Sequence, residues 1–289
     1  MGTFIGHAAP GFFFIVFALW WMIQYAYHQI ALDNGRLQPR GRLLRVLHRL
    51  PLEGIVIVVF AISGWIGEMS YPAPKWTMFS SDGEFTHQVE WQHVTMYTYF
   101  GIYGATKLVG STVLPDAKYY EKPMGALAYF IEGLLFFYHT HGREHLDILL
   151  HNFLVIAIWS CSFSAFMEFL IPKQRLFFHM RVLSTLWQGT WFWQVGFVLY
   201  LPPGGEEWDQ DSMGNAMLTT ASFTWHLLAD MFVLLVVYAS TSIVLKVTGK
   251  AAVKYSLMEG DEEEIEVKLL RNGSRNKQDD SEEEEERGS

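Results

Sequence analysis

Hydrophobic positions along the chain gather into seven long stretches separated by polar connections, with approximate limits 8-28, 51-70, 91-113, 123-141, 147-170, 176-200 and 215-246. A helix needs roughly 20 mainly apolar residues to cross the hydrocarbon of a bilayer. The pattern therefore predicts an all-α protein: a seven-transmembrane-helix bundle over 1-246, followed by a disordered acidic tail, 247-289. Ahead of the first stretch the only ionisable side chain is His7, with neither a basic leader nor a small-residue cleavage site, so the stretch reads as a retained span rather than a signal peptide.

Seven spans put alternate connections on opposite sides of the membrane, so the basic residues test the segmentation independently. One set of connections holds Arg36, Arg40, Arg42, Arg45, Arg49, Lys118, Lys122, Lys173 and Arg175, whereas the other holds only Lys75 and Arg143. This asymmetry places the N-terminus in the lumen or outside the cell and the C-terminus in the cytosol. Lys246, Lys250 and Lys254, beside the last span, agree.

Composition sharpens the picture: 51% of residues are hydrophobic and 16% aromatic, while only 18% are charged. The net charge of −9 comes mainly from the tail, where Glu259 to Ser289 holds 13 acids and 5 bases. No basic face is left to neutralise phosphates, which argues against a nucleic-acid partner. A single cysteine, Cys161, excludes an intrachain disulfide framework and any multi-cysteine metal site. In the tail, Tyr255-Ser256-Leu257-Met258 has the form of a tyrosine-based sorting signal, with Tyr255 and Met258 as its anchors for a cytosolic adaptor. Asn272-Gly273-Ser274 is the chain's only glycosylation sequon and is expected to stay unmodified on the cytosolic side.

Ionisable residues inside spans are costly and are by default site candidates. His93 opens span three, Glu132 lies mid-span in four, and His139 and His141 close that span. His151 is about one turn into span five. His226 and Asp230 share a face of span seven, and His7 and Glu68 lie toward the same end of the molecule. The candidate polar or metal cluster is accordingly His93, Glu132, His139, His151, His226 and Asp230. Histidine beside carboxylate suits a proton relay, a pH switch or a transition-metal ion, zinc, copper or iron rather than calcium. The bland alternative is interhelical hydrogen bonding that satisfies polar groups in lipid. Trp187, Trp191 and Trp193 are read as packing residues, and Gly101 with Ala105, like Ser160 with Ser164, as small-residue pairs permitting close helix approach.

The chain resembles the transmembrane protein 45 family. The resemblance rests on Gly6-His7-Ala8-Ala9-Pro10-Gly11, Trp91-Gln92-His93, Glu132, the run Tyr138-His139-Thr140-His141-Gly142-Arg143-Glu144, His151, Gln188-Gly189-Thr190-Trp191-Phe192-Trp193-Gln194, Trp208-Asp209 and Trp225-His226. It implies a seven-helix fold and residence in Golgi, endosomal or lysosomal membranes, and it supplies no catalytic site. The reading that results is a non-enzymatic multi-pass membrane protein acting in trafficking or host defence, with a lumen-facing histidine and carboxylate cluster. The alternatives are a metal-dependent intramembrane hydrolase, a haem protein with paired histidines and a proton-coupled transporter.

Overall fold

The computed structural model describes residues 3–33, 51–202 and 204–248. The tail with Tyr255, Met258 and Asn272, and the basic connection from Arg36 to Arg49, lie outside the described residues. The chain divides into two units: a larger one of Met1–Tyr25 and Gln38–Tyr238, and a smaller one of Ala26–Leu37 and Ala239–Ser289. The described part of the smaller unit, 26–33 and 239–248, is helical. Everything below concerns the larger unit.

Among the described residues, seven long helices stand where the hydrophobic pattern predicts them: α1 Phe4–Asp33, α2 Leu52–Ser70, α3 Gln88–Thr112, α4 Glu121–Tyr138, α5 His145–Leu170, α6 Arg175–Tyr200 and α7 Met213–Thr248. Their ends follow local chemistry. Pro115 follows the last turn of α3 and opens a short 3-10 helix, Pro115–Tyr120, that leads into α4. Pro172 and Pro202 stand just beyond α5 and α6, where a ring without an N–H cannot prolong the ladder. Gly142, at φ +76°, turns the chain between α4 and α5.

Consecutive helices pack on one another from α2 through α6. From Phe177 to Tyr200, α6 has no exposed residue, so it is the central post of the bundle. The largest core cluster, with Phe136, Leu150, Leu154, Ile158, Trp191 and Phe192, surrounds it. Phe223 brings α7 onto this post by stacking on Trp187, with ring centroids 4.1 Å apart. Outward, α7 bares Met217, Trp225, Leu228, Phe232 and Leu235, and α2 bares Val56, Val59, Ile62 and Ile66. A water-soluble globule does not present apolar faces of that extent; a bilayer covers them.

The seven-span expectation is met unevenly. Among the described residues, only α1, α2, α5 and α7 contain stretches long and apolar enough to cross a membrane by length and composition. The physical reason is that α3, α4 and α6 carry the buried polar groups described below, including Lys107, Glu132, Arg181 and Gln188, which lower their mean hydropathy without facing lipid. Span four is also shorter than 123-141. The helix ends at Tyr138, so His139 and His141 lie in the connection rather than in the span. Ser160 and Ser164 donate to carbonyls of their own helix, whereas Gly101 does approach the Cβ of Ala61 on α2.

Candidate functional site

Because the helices run alternately up and down, the starts of α1, α3 and α5 share one end of the bundle with the ends of α2, α4 and α6. Four histidines meet at that end. The His93 and His139 rings lie 5.2 Å apart between centroids, His139 and His151 6.2 Å, and His151 and His7 5.7 Å. The result is an unbroken row of imidazoles from α3, the α4–α5 connection, α5 and α1. It is wettest at the His93 end and dry further along, since the His93 side chain is 22% exposed and that of His151 is 1% exposed.

Each ring is oriented through Nδ1. His93 Nδ1 lies 3.1 Å from Glu68 Oε1, and His139 Nδ1 lies 2.7 Å from Gln92 Oε1. His7 Nδ1 lies 3.0 Å from the Thr3 carbonyl oxygen, and His151 Nδ1 lies 2.7 Å from Asp147 Oδ1. With acceptors on Nδ1, the neutral rings carry their proton there and leave Nε2 as a lone pair. His151 Nε2 is buried and has no hydrogen-bond partner. Arg143 clamps the connection by donating to the His139 carbonyl oxygen at 3.1 Å and to Asp147 Oδ2 at 2.9 Å. Burial first, then the nearby His93 and Arg143, hold the His139 imidazole down at about 3, so it is neutral near pH 7.

The remaining predicted residues are buried or half-buried but have different neighbours. Glu132 is buried on α4 and accepts from Gln188 Nε2 on α6 at 2.9 and 3.0 Å. Gln188 Oε1 in turn accepts from Cys161 Sγ, 3.4 Å away. Asp230 accepts from Thr190 Oγ1 at 2.9 Å, and the half-buried His226 sits edge-on to Trp191 with centroids 5.5 Å apart. His226 and Asp230 thus join α7 to α6, while His93, His139 and His151 form the row. Among the described residues, no group of three His, Cys, Asp or Glu side chains is close enough to enclose a metal ion.

Glu132, His93 and Glu68 share a cavity. It holds about 80 Å³ and runs beside α1 from Gly6 to Trp21, with Phe14, Phe60, Phe100 and Phe136 among its mainly aromatic walls.

The opposite end of the bundle carries ionic groups that the hydrophobic pattern conceals. Lys107 Nζ on α3 lies 3.2 Å from Glu53 Oε1 and 3.3 Å from Glu121 Oε2, and Trp21 donates to Glu53 at 2.9 Å. Glu168 on α5 takes Arg181 Nε of α6 at 2.7 Å and also pairs with Lys122, while the Arg181 guanidinium lies 4.2 Å from the Trp21 ring centroid. The sequence signal was available: Lys107, Glu168 and Arg181 are charges inside predicted spans and met the same criterion that singled out Glu132.

Residues 119–239 match the family described as "Family of unknown function (DUF716)". The chain is also similar to "Transmembrane epididymal protein 1" of Rattus norvegicus, with 25% identity over 261 residues covering 84% of this chain and 82% of that protein. "Transmembrane epididymal protein 1A" of Mus musculus is 24% identical over 254 residues, again covering 84% and 82%. "Transmembrane epididymal protein 1" of Homo sapiens is 27% identical over 183 residues, 59% of this chain and 66% of that protein. Joined to the lipid-facing helices, these likenesses make the chain a multi-pass integral membrane protein similar to the transmembrane epididymal proteins.

Proposed function

We propose that this chain is a seven-span, non-enzymatic protein of Golgi, endosomal and lysosomal membranes, of the kind grouped as transmembrane protein 45. Its role in this reading is in trafficking or host defence, with the histidine row facing the lumen and tuning helix contacts to lumenal acidity. The membrane domain is 1-246, and 247-289 is a cytosolic tail whose Tyr255 and Met258 engage sorting adaptors. The observation that carries the pH-sensing role is the continuous row His93, His139, His151 and His7, drawn from four separate parts of the chain. The packed His139 ring, between His93 and His151, resists a proton that a solvated imidazole accepts, so acid favours conformations in which the joint around it is loosened.

A second reading has its own observation. Nδ1 of every ring in the row is held by an oxygen acceptor, the arrangement that orients metal-ligating histidines, and His151 Nε2 is left buried and unpaired. A transition metal bound by His93, His139, His151 or His7 through Nε2 is therefore the alternative; the rings must close up to reach it.

One experiment separates the readings. Protein purified without chelators and reconstituted in vesicles is assayed for metal content and for the α3–α5 distance by paired spin labels at pH 7 and pH 5. The first reading expects no stoichiometric metal and a distance change that His139→Gln suppresses. Stoichiometric metal lost in His151→Ala supports the second. A metal-free protein whose distances ignore pH leaves the row as interhelical hydrogen bonding and refutes both.

A further inference from the structure

The bundle has a second hollow, on the outer face of α4 and α5. It is an open groove of about 560 Å³, far roomier than the cavity beside α1 and within the range of about 300–1,000 Å³ usual for ligand sites. Pro123, Leu127 and Phe130 of α4 form one wall, and Trp159, Phe163 and Phe166 of α5 form the other. Leu127, Phe130, Phe163 and Phe166 are exposed, so the hydrocarbon of the bilayer meets the groove directly. Its few polar groups are turned inward: Ser162 Oγ donates to the Ala126 carbonyl oxygen at 2.8 Å, and Trp159 Nε1 to that of Phe130 at 3.5 Å. The strip is therefore apolar over the roughly 10 Å that α4 rises from Pro123 to Phe130.

One end of this strip is cationic. Lys122, 44% exposed, stands one residue before Pro123 and pairs with Glu168 of α5. Glu168 is also held by Arg181 at 2.7 Å, so one buried negative charge faces two cations, and the wetter of them borders the groove. The adjoining carboxylate, Glu121, is turned to Lys107 on α3. Lys118, in the 3-10 helix before α4, and Lys173, in the connection after α5, are exposed at the same end, against the exposed Asp116. Tyr119 fastens the 3-10 helix to α5, its ring 5.1 Å from that of Phe169, and the exposed Tyr120 beside it suits the headgroup level of a membrane. An apolar strip open to the bilayer and ending in surplus positive charge matches a lipid with an acidic headgroup. A choline or ethanolamine headgroup would bring a further cation among the lysines. A second copy of the chain fits less well, because the aromatic walls stand above the buried Ala126 and keep another helix backbone from close approach.

We propose that the α4–α5 groove holds an anionic phospholipid, its phosphate and acidic headgroup at Lys122 and Lys118 and an acyl chain laid along Leu127 and Phe163 toward Trp159. The site lies at the opposite end of the bundle from the histidine row and binds lipid whether or not that row responds to acid.

The test uses full-length protein in nanodiscs of phosphatidylcholine doped with phosphatidylserine, or with further phosphatidylcholine, the dopant being brominated midway along one acyl chain. Quenching of Trp159, taken as the difference between wild type and Trp159→Phe, reads occupancy of the groove. The expected result is half-maximal quenching by the anionic lipid at a mole fraction roughly tenfold below that of the zwitterionic one. Lys122→Gln should reduce this preference about fivefold, and adding Lys118→Gln should remove what is left. Arg181 still satisfies Glu168 in Lys122→Gln, and an unchanged melting midpoint checks its fold. Native mass spectrometry gives a second reading that does not need Trp159→Phe: wild type retains an anionic phospholipid that Lys122→Gln loses. Soluble glycerophosphoserine should not displace the lipid; displacement would mean a phosphate site without a chain site. That outcome, equal quenching by the two lipids, a preference unchanged in folded Lys122→Gln, or a Trp159 shielded from both lipids within a dimer overturns the proposal.

Discussion

Gly11 on α1 and Gly189 on α6 meet backbone to backbone. A Cβ built on Gly11 would stand 2.8 Å from the Gly189 carbonyl oxygen, and one on Gly189 would stand 2.9 Å from the Gly11 carbonyl oxygen. This contact lets α1 lie against the central post closely enough for Phe14 to stack on Phe192 at 5.9 Å and for His7 to reach His151. Close approach of this kind replaces the hydrophobic drive that lipid does not provide.

Gly11→Ala and Gly189→Ala should therefore each destabilise the bundle by about 1–3 kcal/mol, the cost of overpacking a tight contact. Gly67→Ala has open space around its Cβ and should be close to neutral or slightly stabilising. Unfolding midpoints in mild detergent supply the comparison; an Ala scan with the reverse order would mean that the α1–α6 crossing does not limit stability.

The ionic end of the bundle gives a second, asymmetric expectation. Glu168 is buried and shared by Arg181, whose side chain is 14% exposed, and by Lys122, which is 44% exposed. Removing Arg181 leaves the buried carboxylate with only the more exposed Lys122 and takes the cation from Trp21, so Arg181→Met should cost about 3–5 kcal/mol. Lys122→Met removes the wetter partner and should cost no more than about 1 kcal/mol. Denaturation of both variants in detergent distinguishes them, and equal losses would contradict the proposed division of labour.

Much of this organisation was legible from residue order. The seven helices follow the hydrophobic stretches closely because a long apolar run has few structural choices. The convergence of His7, Glu68, His93, His139 and His151 also followed, since alternating spans carry those residues to one end. What order could not give was azimuth. The faces of α7 that carry His226 and Asp230 turn to Trp191 and Thr190 rather than to the row. Gly11 and Gly189 escaped notice because a close approach between helices far apart in sequence leaves no local period. The small-residue rule pointed instead to Ser160 and Ser164, whose hydroxyls turn back on their own helix.

The tail prediction concerns addressing. Tyr255-Ser256-Leu257-Met258 starts about nine residues beyond the last apolar stretch, a distance at which an extended segment can reach an adaptor. Tyr255→Ala should shift steady-state fluorescence of a tagged chain from endosomes and lysosomes toward the cell surface, and Asn272 should carry no glycan. An unchanged distribution removes the motif as the address; glycan on Asn272 inverts the proposed orientation.

The last prediction takes its sign from His139. Its imidazole is held at about 3, against an ordinary value of about 6.5, so the folded protein resists a proton that the unfolded chain accepts. The stabilising preference is complete above pH 6.5 and is lost progressively as pH falls toward 3, with a slope of at most about 1.4 kcal/mol per pH unit from this one group. His93, His151, His7 and Arg143 face the ring, Glu68 and Asp147 lie behind them, and Gln92 accepts its Nδ1 proton. His139→Gln keeps a donor for Gln92 and removes the titration. Melting midpoints measured from pH 7.5 to 4.5 should therefore fall more steeply for wild type than for His139→Gln. Parallel curves would show that His139 is not the group through which acid acts on this end of the bundle.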